Sequence, residues 1–243
     1  MSEASTVADL RPAGYQSWHD LLFVHWRVPP HVCQQLLPDQ LTIDTWQGDA
    51  WIGLVAFHMS GVRPRWSPAV PYLSRFPETN VRTYVRYRDQ KPAVWFFSLE
   101  AARLAAVLTA RWGWRLNYQW SRMNVRRQGD RVQYTSRRWL DRSAGANITA
   151  EIDVADDQSI PMPAAAGSLE EFLVERYVFY NVGRQHRIFQ GRVQHRPYPL
   201  VGAHLLALDE TLLAIAGIPP AGPPDHVVFS PGVDVEIVGL SAV

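Results

Sequence analysis

Apolar and polar positions alternate with a period of two over much of this chain, which is the mark of strands whose side chains point to opposite faces. Residues 21–28, Leu-Leu-Phe-Val-His-Trp-Arg-Val, are β-branched and aromatic and stop at Pro29-Pro30. Residues 50–59 are apolar on both faces, which predicts a central strand buried on two sides. Residues 80–88 and 93–99 read as a hairpin turning at Asp89-Gln90-Lys91-Pro92, and residues 118–127 and 131–139 as another turning at Gln128-Gly129-Asp130. Further strands are predicted at 146–154, 177–182, 186–195 and 233–238.

Helical spacing is rarer. Pro30 suits a helix start and Pro38 a stop, which predicts a short helix over 31–37. Leu104, Val107 and Leu108 share a face in a helix over 101–111. Ser168-Leu169-Glu170-Glu171 is a capping box opening a helix that carries Phe172 and Leu173, and residues 209–216 form a last helix. Residues 63–71 hold Pro64, Pro68 and Pro71 and are expected to be an irregular loop fit for a rim or a contact surface. The stretch 156–167 is the one candidate linker, but either half without the other would have an incomplete sheet. The expected organisation is a frayed, flexible lead-in over 1–14 and a single domain over 15–243, mainly β with a few peripheral helices.

Composition narrows the function classes. A net charge of +1 lacks the basic excess of a nucleic-acid binder. Cys33 is the only cysteine, so neither an intrachain disulfide nor a Cys-based metal site is available. The first residues lack a basic and an apolar region in series, and no apolar run approaches the roughly 20 residues that span a bilayer. A cytoplasmic protein with no membrane or nucleic-acid partner and no cofactor is expected. Lys91 is the only lysine, and the other 23 of the 24 basic residues are arginine. Codon bias is the plain explanation of the skew. Its chemical consequence is that one amine alone could form a Schiff base.

The segment Phe76-Pro77-Glu78-Thr79-Asn80-Val81-Arg82-Thr83-Tyr84-Val85-Arg86 carries the most chemical information. Alternation puts Glu78, Asn80, Arg82, Tyr84 and Arg86 on one face. Two readings compete: a solvated outer face, or a polar stripe lining an interior where a carboxylate or carbonyl ligand is fixed. Phe23, His25 and Arg27 share a face of the first strand, and the same two readings apply to His25 and Arg27. Metal binding has no local signature, because His19/His25 and His186/His195 are 6 and 9 residues apart, neither a helical pair nor a zinc spacing. No Gly-x-Ser-x-Gly elbow, phosphate loop or dinucleotide fingerprint occurs. His195-Arg196-Pro197-Tyr198-Pro199-Leu200 reads as a rigid strand exit packed on the core.

Several of these segments together resemble the YqjF-like family of bacterial proteins of unknown function. They are Phe23-Val24-His25-Trp26-Arg27-Val28-Pro29, Leu36-Leu37-Pro38 with Leu41 and Asp44, Ala50-Trp51-Ile52-Gly53-Leu54-Val55, Glu78-Thr79-Asn80-Val81-Arg82-Thr83-Tyr84-Val85 and Phe96-Phe97-Ser98-Leu99-Glu100-Ala101. Shorter matches are Ala110-Arg111 with Tyr118, Ser168 to Leu173, Glu175-Arg176-Tyr177, and His195 with Pro197. The resemblance implies the acetoacetate decarboxylase-like fold, a large antiparallel β-barrel with helices at its edges and a pocket inside. It also implies that Glu78 stands where the decarboxylase has an active-site glutamate, and His19 where it has an arginine. The decarboxylase forms an imine on a lysine beside a second lysine; in the matching segment those positions fall at Tyr118 and Gln119, neither of which forms an imine. The resemblance thus points to a small-molecule pocket drawn from His19, His25, Arg27, Glu78, Asn80, Arg82, Tyr84, Tyr118 and Gln119, with Glu78 and Tyr118 as candidate acid–base groups. A lysine-independent enzyme working by proton transfer or hydration on a keto or enol substrate is the alternative. A structural protein binding a partner, or a second copy of itself, through the 63–71 loop and exposed tryptophans is the third.

Overall fold

The computed structural model describes residues 11–88, 90–109, 116–153, 161–183, 187–219 and 222–243. Twelve strands are formed among them: β1 Gly14–Val28, β2 Thr42–Ile43, β3 Ala50–Pro64, β4 Phe76–Arg86, β5 Ala93–Ala101, β6 Tyr118–Gln128, β7 Arg131–Arg138, β8 Gly145–Ile152, β9 Val178–Val182, β10 Ile188–His195, β11 Val201–Glu210 and β12 His226–Ala242. Four short helices join them: α1 Pro30–Gln34, α2 Leu104–Thr109, α3 Leu169–Val174 and α4 Leu212–Ile215.

The strands make one sheet in the order β10-β9-β5-β6-β7-β8-β11-β12-β1-β3-β4-β2, and additional β10–β12 and β4–β5 pairings give it ring-like hydrogen bonding. One ring runs β12-β1-β3-β4-β5-β9-β10 and the other β12-β1-β3-β4-β5-β6-β7-β8-β11, so the two share a wall of five strands. The pairings are antiparallel, as expected of most of the sheet, except β5–β6 and β5–β9, which are parallel. Both follow from β5 lying where the rings meet.

Alternation along the shared wall sorts side chains into two cores. Leu22, Val24, Trp26, Ile52, Leu54, Ala56 and Val81 pack with Tyr134, Ile148, Ile152 and Phe229. Leu21, Phe23, Val55, Phe57, Met59, Phe76 and Tyr84 pack with Val94, Leu173, Phe179 and Tyr198. The first core is mostly apolar, with Thr79, Thr83 and Glu100 buried on the same face. The second faces the polar row of β4.

β1 starts seven residues earlier than its hydrophobic run suggests, because its first half is a half-buried stretch pairing β3 and β12. β3 runs through Arg63 to Pro64, so the proline-rich loop begins later than expected. β11 has no counterpart in the sequence reading: its run Leu205-Leu206-Ala207-Leu208, half-buried at the two ends and exposed between, breaks the period of two at a register shift. The expected helix over 209–216 shrinks to α4 as a result. Residues 1–10 of the expected lead-in, 156–160 of the expected linker, His186, and the end of the 101–111 helix lie outside the described residues. The capping box forms at Ser168, whose Oγ accepts from Glu171 N at 3.2 Å, while the Glu171 carboxylate takes Gly167 N instead of the cap's own N–H.

Two residues with positive φ position the site. Asp20 has φ +48° and makes a bulge against β3 between His19 and Leu22. Opposite His19, Gly232 has φ +139°, and a Cβ there would lie 2.2 Å from the Trp18 carbonyl oxygen, so only glycine permits this approach of β12 to β1. Among the described residues no helix is long and apolar enough to cross a membrane.

Candidate functional site

β4 passes between β3 and β5 with both faces covered, so its polar row is interior and the outer-face reading does not hold. Glu78, Asn80, Arg82 and Tyr84 are all buried; Arg86, at the strand end, is exposed and pairs with Asp44 at 2.9 Å. β6 brings Tyr118 beside the row through its parallel pairing with β5. The Tyr118 hydroxyl donates to Glu78 Oε2 at 2.6 Å, so the two candidate acid–base groups form a hydrogen-bonded pair. Burial pushes the Glu78 carboxyl up from 4.5 to about 7, against the pull of Tyr118 and Asn80 and with a further push from the Glu100 charge. Burial and the adjacent carboxylate hold the Tyr118 phenol well above 10. No ion pair joins Arg82 to Glu78 among the described residues.

Arg82 has another partner. Its Nη2 and the Tyr84 hydroxyl both donate to the Leu173 carbonyl, at 3.0 and 2.7 Å, and so cap the C-terminal turn of α3. Arg82 also lies 5.4 Å from the centre of the Phe23 ring. Its Nε and Asn80 Oδ1 are buried without a hydrogen-bond partner among the described residues. His25 is fully buried, with Nε2 2.8 Å from the Tyr84 hydroxyl. That hydroxyl spends its proton on Leu173, so His25 Nε2 must carry the N–H and its Nδ1 is bare. Burial first, then the Arg82 and His226 charges, keep the imidazole neutral by lowering its pKa well below 6.5. Nδ1 faces His226 Nδ1 at 3.4 Å, and His226 Nε2 lies 3.4 Å from Glu170 at the first turn of α3.

Three expected residues fall elsewhere. The bulge at Asp20 reverses the alternation, so His19 pairs across from His58 and bonds Ser60 Oγ at 2.7 Å on the face away from Phe23 and His25. Arg27 shares the face of His25 but lies at the strand end, where its side chain is 57% exposed and bound to Asp225 at 3.0 Å. Gln119 takes the opposite face of β6 from Tyr118 and bonds Asn117. On that same side, fully buried Glu100 is held by Arg138 at 2.7 Å and Ser121 at 2.8 Å, an ion pair that anchors β5 to β6 and β7.

Sequence reasoning missed Trp18, His226 and the functional placement of Glu170 and Tyr198. Because the bulge switches the parity, Trp18 instead of His19 takes the interior face, where it meets Phe57 at 5.7 Å. Glu170 and Tyr198 were visible only as a helix cap and a turn. His226 is 201 residues from His25, and no local signal joins them.

The large sheet with ring-like hydrogen bonding places the chain in the acetoacetate decarboxylase-like class of fold. The chain is similar to acetoacetate decarboxylase from Legionella pneumophila, with TM-score 0.66 and 12% identity over 97% of this chain and 89% of that one. It is also similar to the enduracididine biosynthesis enzyme MppR complexed with pyruvate, with TM-score 0.63 and 14% identity over 99% and 94%. Identities this low speak for the fold alone. Residues 15–234 match the DUF2071 family, described as an uncharacterized conserved protein, and the chain belongs to it. A relative in that line is the uncharacterized protein YqjF of Bacillus subtilis (strain 168), 36% identical over 188 residues, 77% of this chain and 75% of the relative.

Proposed function

We propose that the interior beside β4 takes a small carbonyl compound bearing a carboxylate, and that Glu78 exchanges a proton with it. The observation that carries this is the buried Glu78–Tyr118 pair, whose carboxyl titrates near 7 and is therefore divided between acid and base at neutral pH. As base, the ionised carboxyl takes a proton from the carbon next to the carbonyl. The C–H electron pair moves onto the carbonyl oxygen as an enolate, and return of the proton to carbon regenerates both partners. Tyr118 keeps its own proton and steadies the carboxylate through the hydrogen bond to Oε2. Arg82 has no carboxylate partner among the described residues and gives the interior a positive potential that favours an anionic ligand. The ligand class is supported by the fold neighbour MppR, whose structure holds pyruvate.

No step uses an amine. Lys91 is the sole lysine and is exposed in the turn between β4 and β5, so imine chemistry in the interior has no nucleophile. The test is exchange of the pyruvate methyl protons for deuterium in D₂O, followed by proton NMR. The protein should accelerate exchange above buffer, more strongly as pH rises through about 7, and Glu78→Gln should remove the acceleration. Exchange at the buffer rate with the wild-type protein contradicts the proposal.

A further inference from the structure

Trp18, Tyr177, His195 and Tyr198 bring four rings together at the edge of the same core. His195 lies 4.6 Å from Tyr177, 4.6 Å from Tyr198 and 5.7 Å from Trp18, ring centre to ring centre. Tyr198 in turn meets Phe23 edge-on at 5.3 Å, next to Arg82. On its outer side His195 helps line a surface groove of about 610 Å³ with Tyr15, Ser17, Arg63 and Asp234. His195 thus stands between solvent and the aromatic lining.

Its protonation is fixed by its neighbour. Nδ1 lies 2.7 Å from the Arg196 carbonyl, which can only accept, so Nδ1 carries the proton and Nε2 is a bare lone pair. That Nε2 is buried and has no hydrogen-bond partner among the described residues. The Trp18 indole Nε1–H is likewise buried with no acceptor. An orphan acceptor and an orphan donor therefore sit on two touching rings, and each costs on the order of 1–3 kcal/mol while unmatched. A hydroxyl is the kind of group that matches both, since it accepts from an indole N–H and donates to a bare imidazole nitrogen.

The pair has a definite relation to Glu78. Trp18 is opposite Met59 on β3, and Glu78 is opposite Phe57 on the same strand. Two strand spacings separate β1 from β4, so the two polar positions are on the order of 10 Å apart along an aromatic wall. We infer that Trp18 and His195 form a hydroxyl-recognising subsite, and that the ligand class is a hydroxyaryl keto acid, with its ring along Phe57 and Tyr198. This rests on the reading of the interior as a keto-acid site.

The test compares three probes on the wild-type protein: pyruvate, phenylpyruvate and 4-hydroxyphenylpyruvate, by calorimetric titration and by indole proton–nitrogen NMR with the Trp18 signal assigned through Trp18→Phe. The subsite requires 4-hydroxyphenylpyruvate to bind about tenfold more tightly than phenylpyruvate, and to shift the Trp18 Nε1–H resonance where phenylpyruvate does not. His195→Phe should abolish the discrimination while leaving phenylpyruvate binding. Equal binding of the two aromatic acids overturns the subsite, leaves the keto-acid reading standing and assigns the orphan pair to water. Binding of none of the three overturns both.

Discussion

Burial raises the Glu78 carboxyl from 4.5 to about 7, so between those values the folded protein holds a proton that the unfolded chain has released. The sign follows: the fold is unpenalised below about pH 4.5, and stability falls as pH rises to about 7. The loss amounts to about 3 kcal/mol in full, at about 1.4 kcal/mol per unit. Glu78→Gln carries no charge at any pH. In urea unfolding at pH 5 and pH 8, the variant should lose less stability between the two than the wild type, by about that amount; equal losses would place Glu78 in an ordinary environment. At this scale the sequence was legible where alternation ran unbroken, as from Glu78 to Tyr84. Which side of the sheet that row faces depends on ring closure, which no single strand records. His19 was misplaced by one residue's backbone. Asp20, at φ +48°, is a residue type that tolerates the left-handed region, and it was the local signal available for the bulge.

At the scale of elements, α3 is six residues long and has too few turns to be stable by itself. Tertiary contacts hold it at both ends: Glu170 to His226 at its start, and the Leu173 carbonyl to Arg82 and Tyr84 at its close. Arg176, just past the helix, adds a buried ion pair to Asp44 at 3.0 Å. Three of the expected site residues thus serve double duty, since Arg82, Tyr84 and His25 also dock a helix over the interior. Tyr84→Phe removes the donor to Leu173 and strands the His25 N–H. It should cost about 1–3 kcal/mol in denaturant unfolding and speed amide hydrogen exchange in α3 more than in β6 to β8. Unchanged exchange in α3 would show that the helix is held by its apolar side alone. The helix itself was legible from its capping box, and its docking was not, because the partners come from β1, β4 and β12.

Across the whole molecule, the shared wall of β12, β1, β3, β4 and β5 gives the protein two interiors of different character. The first, filled by Tyr134, Ile148 and their neighbours, stabilises the fold and pairs its buried Glu100 with Arg138. The other buries a carboxyl, a guanidinium and a neutral imidazole, a costly set for any role confined to packing. The fold class was readable from the spacing of strands and from matched segments. The parallel pairings at β5 were not, since they follow from how the rings meet, nor was strand β11, whose alternation breaks at a register shift. The chain's single lysine completes the picture, because it lies in an exposed turn and leaves Glu78 as the group on which the proposed chemistry depends. The most direct measurement is pyruvate methyl deuterium exchange in Lys91→Arg protein beside Glu78→Gln. The account expects Lys91→Arg to match the wild type and Glu78→Gln to fall to the buffer rate. Loss of exchange in Lys91→Arg, with Glu78→Gln still active, would contradict it.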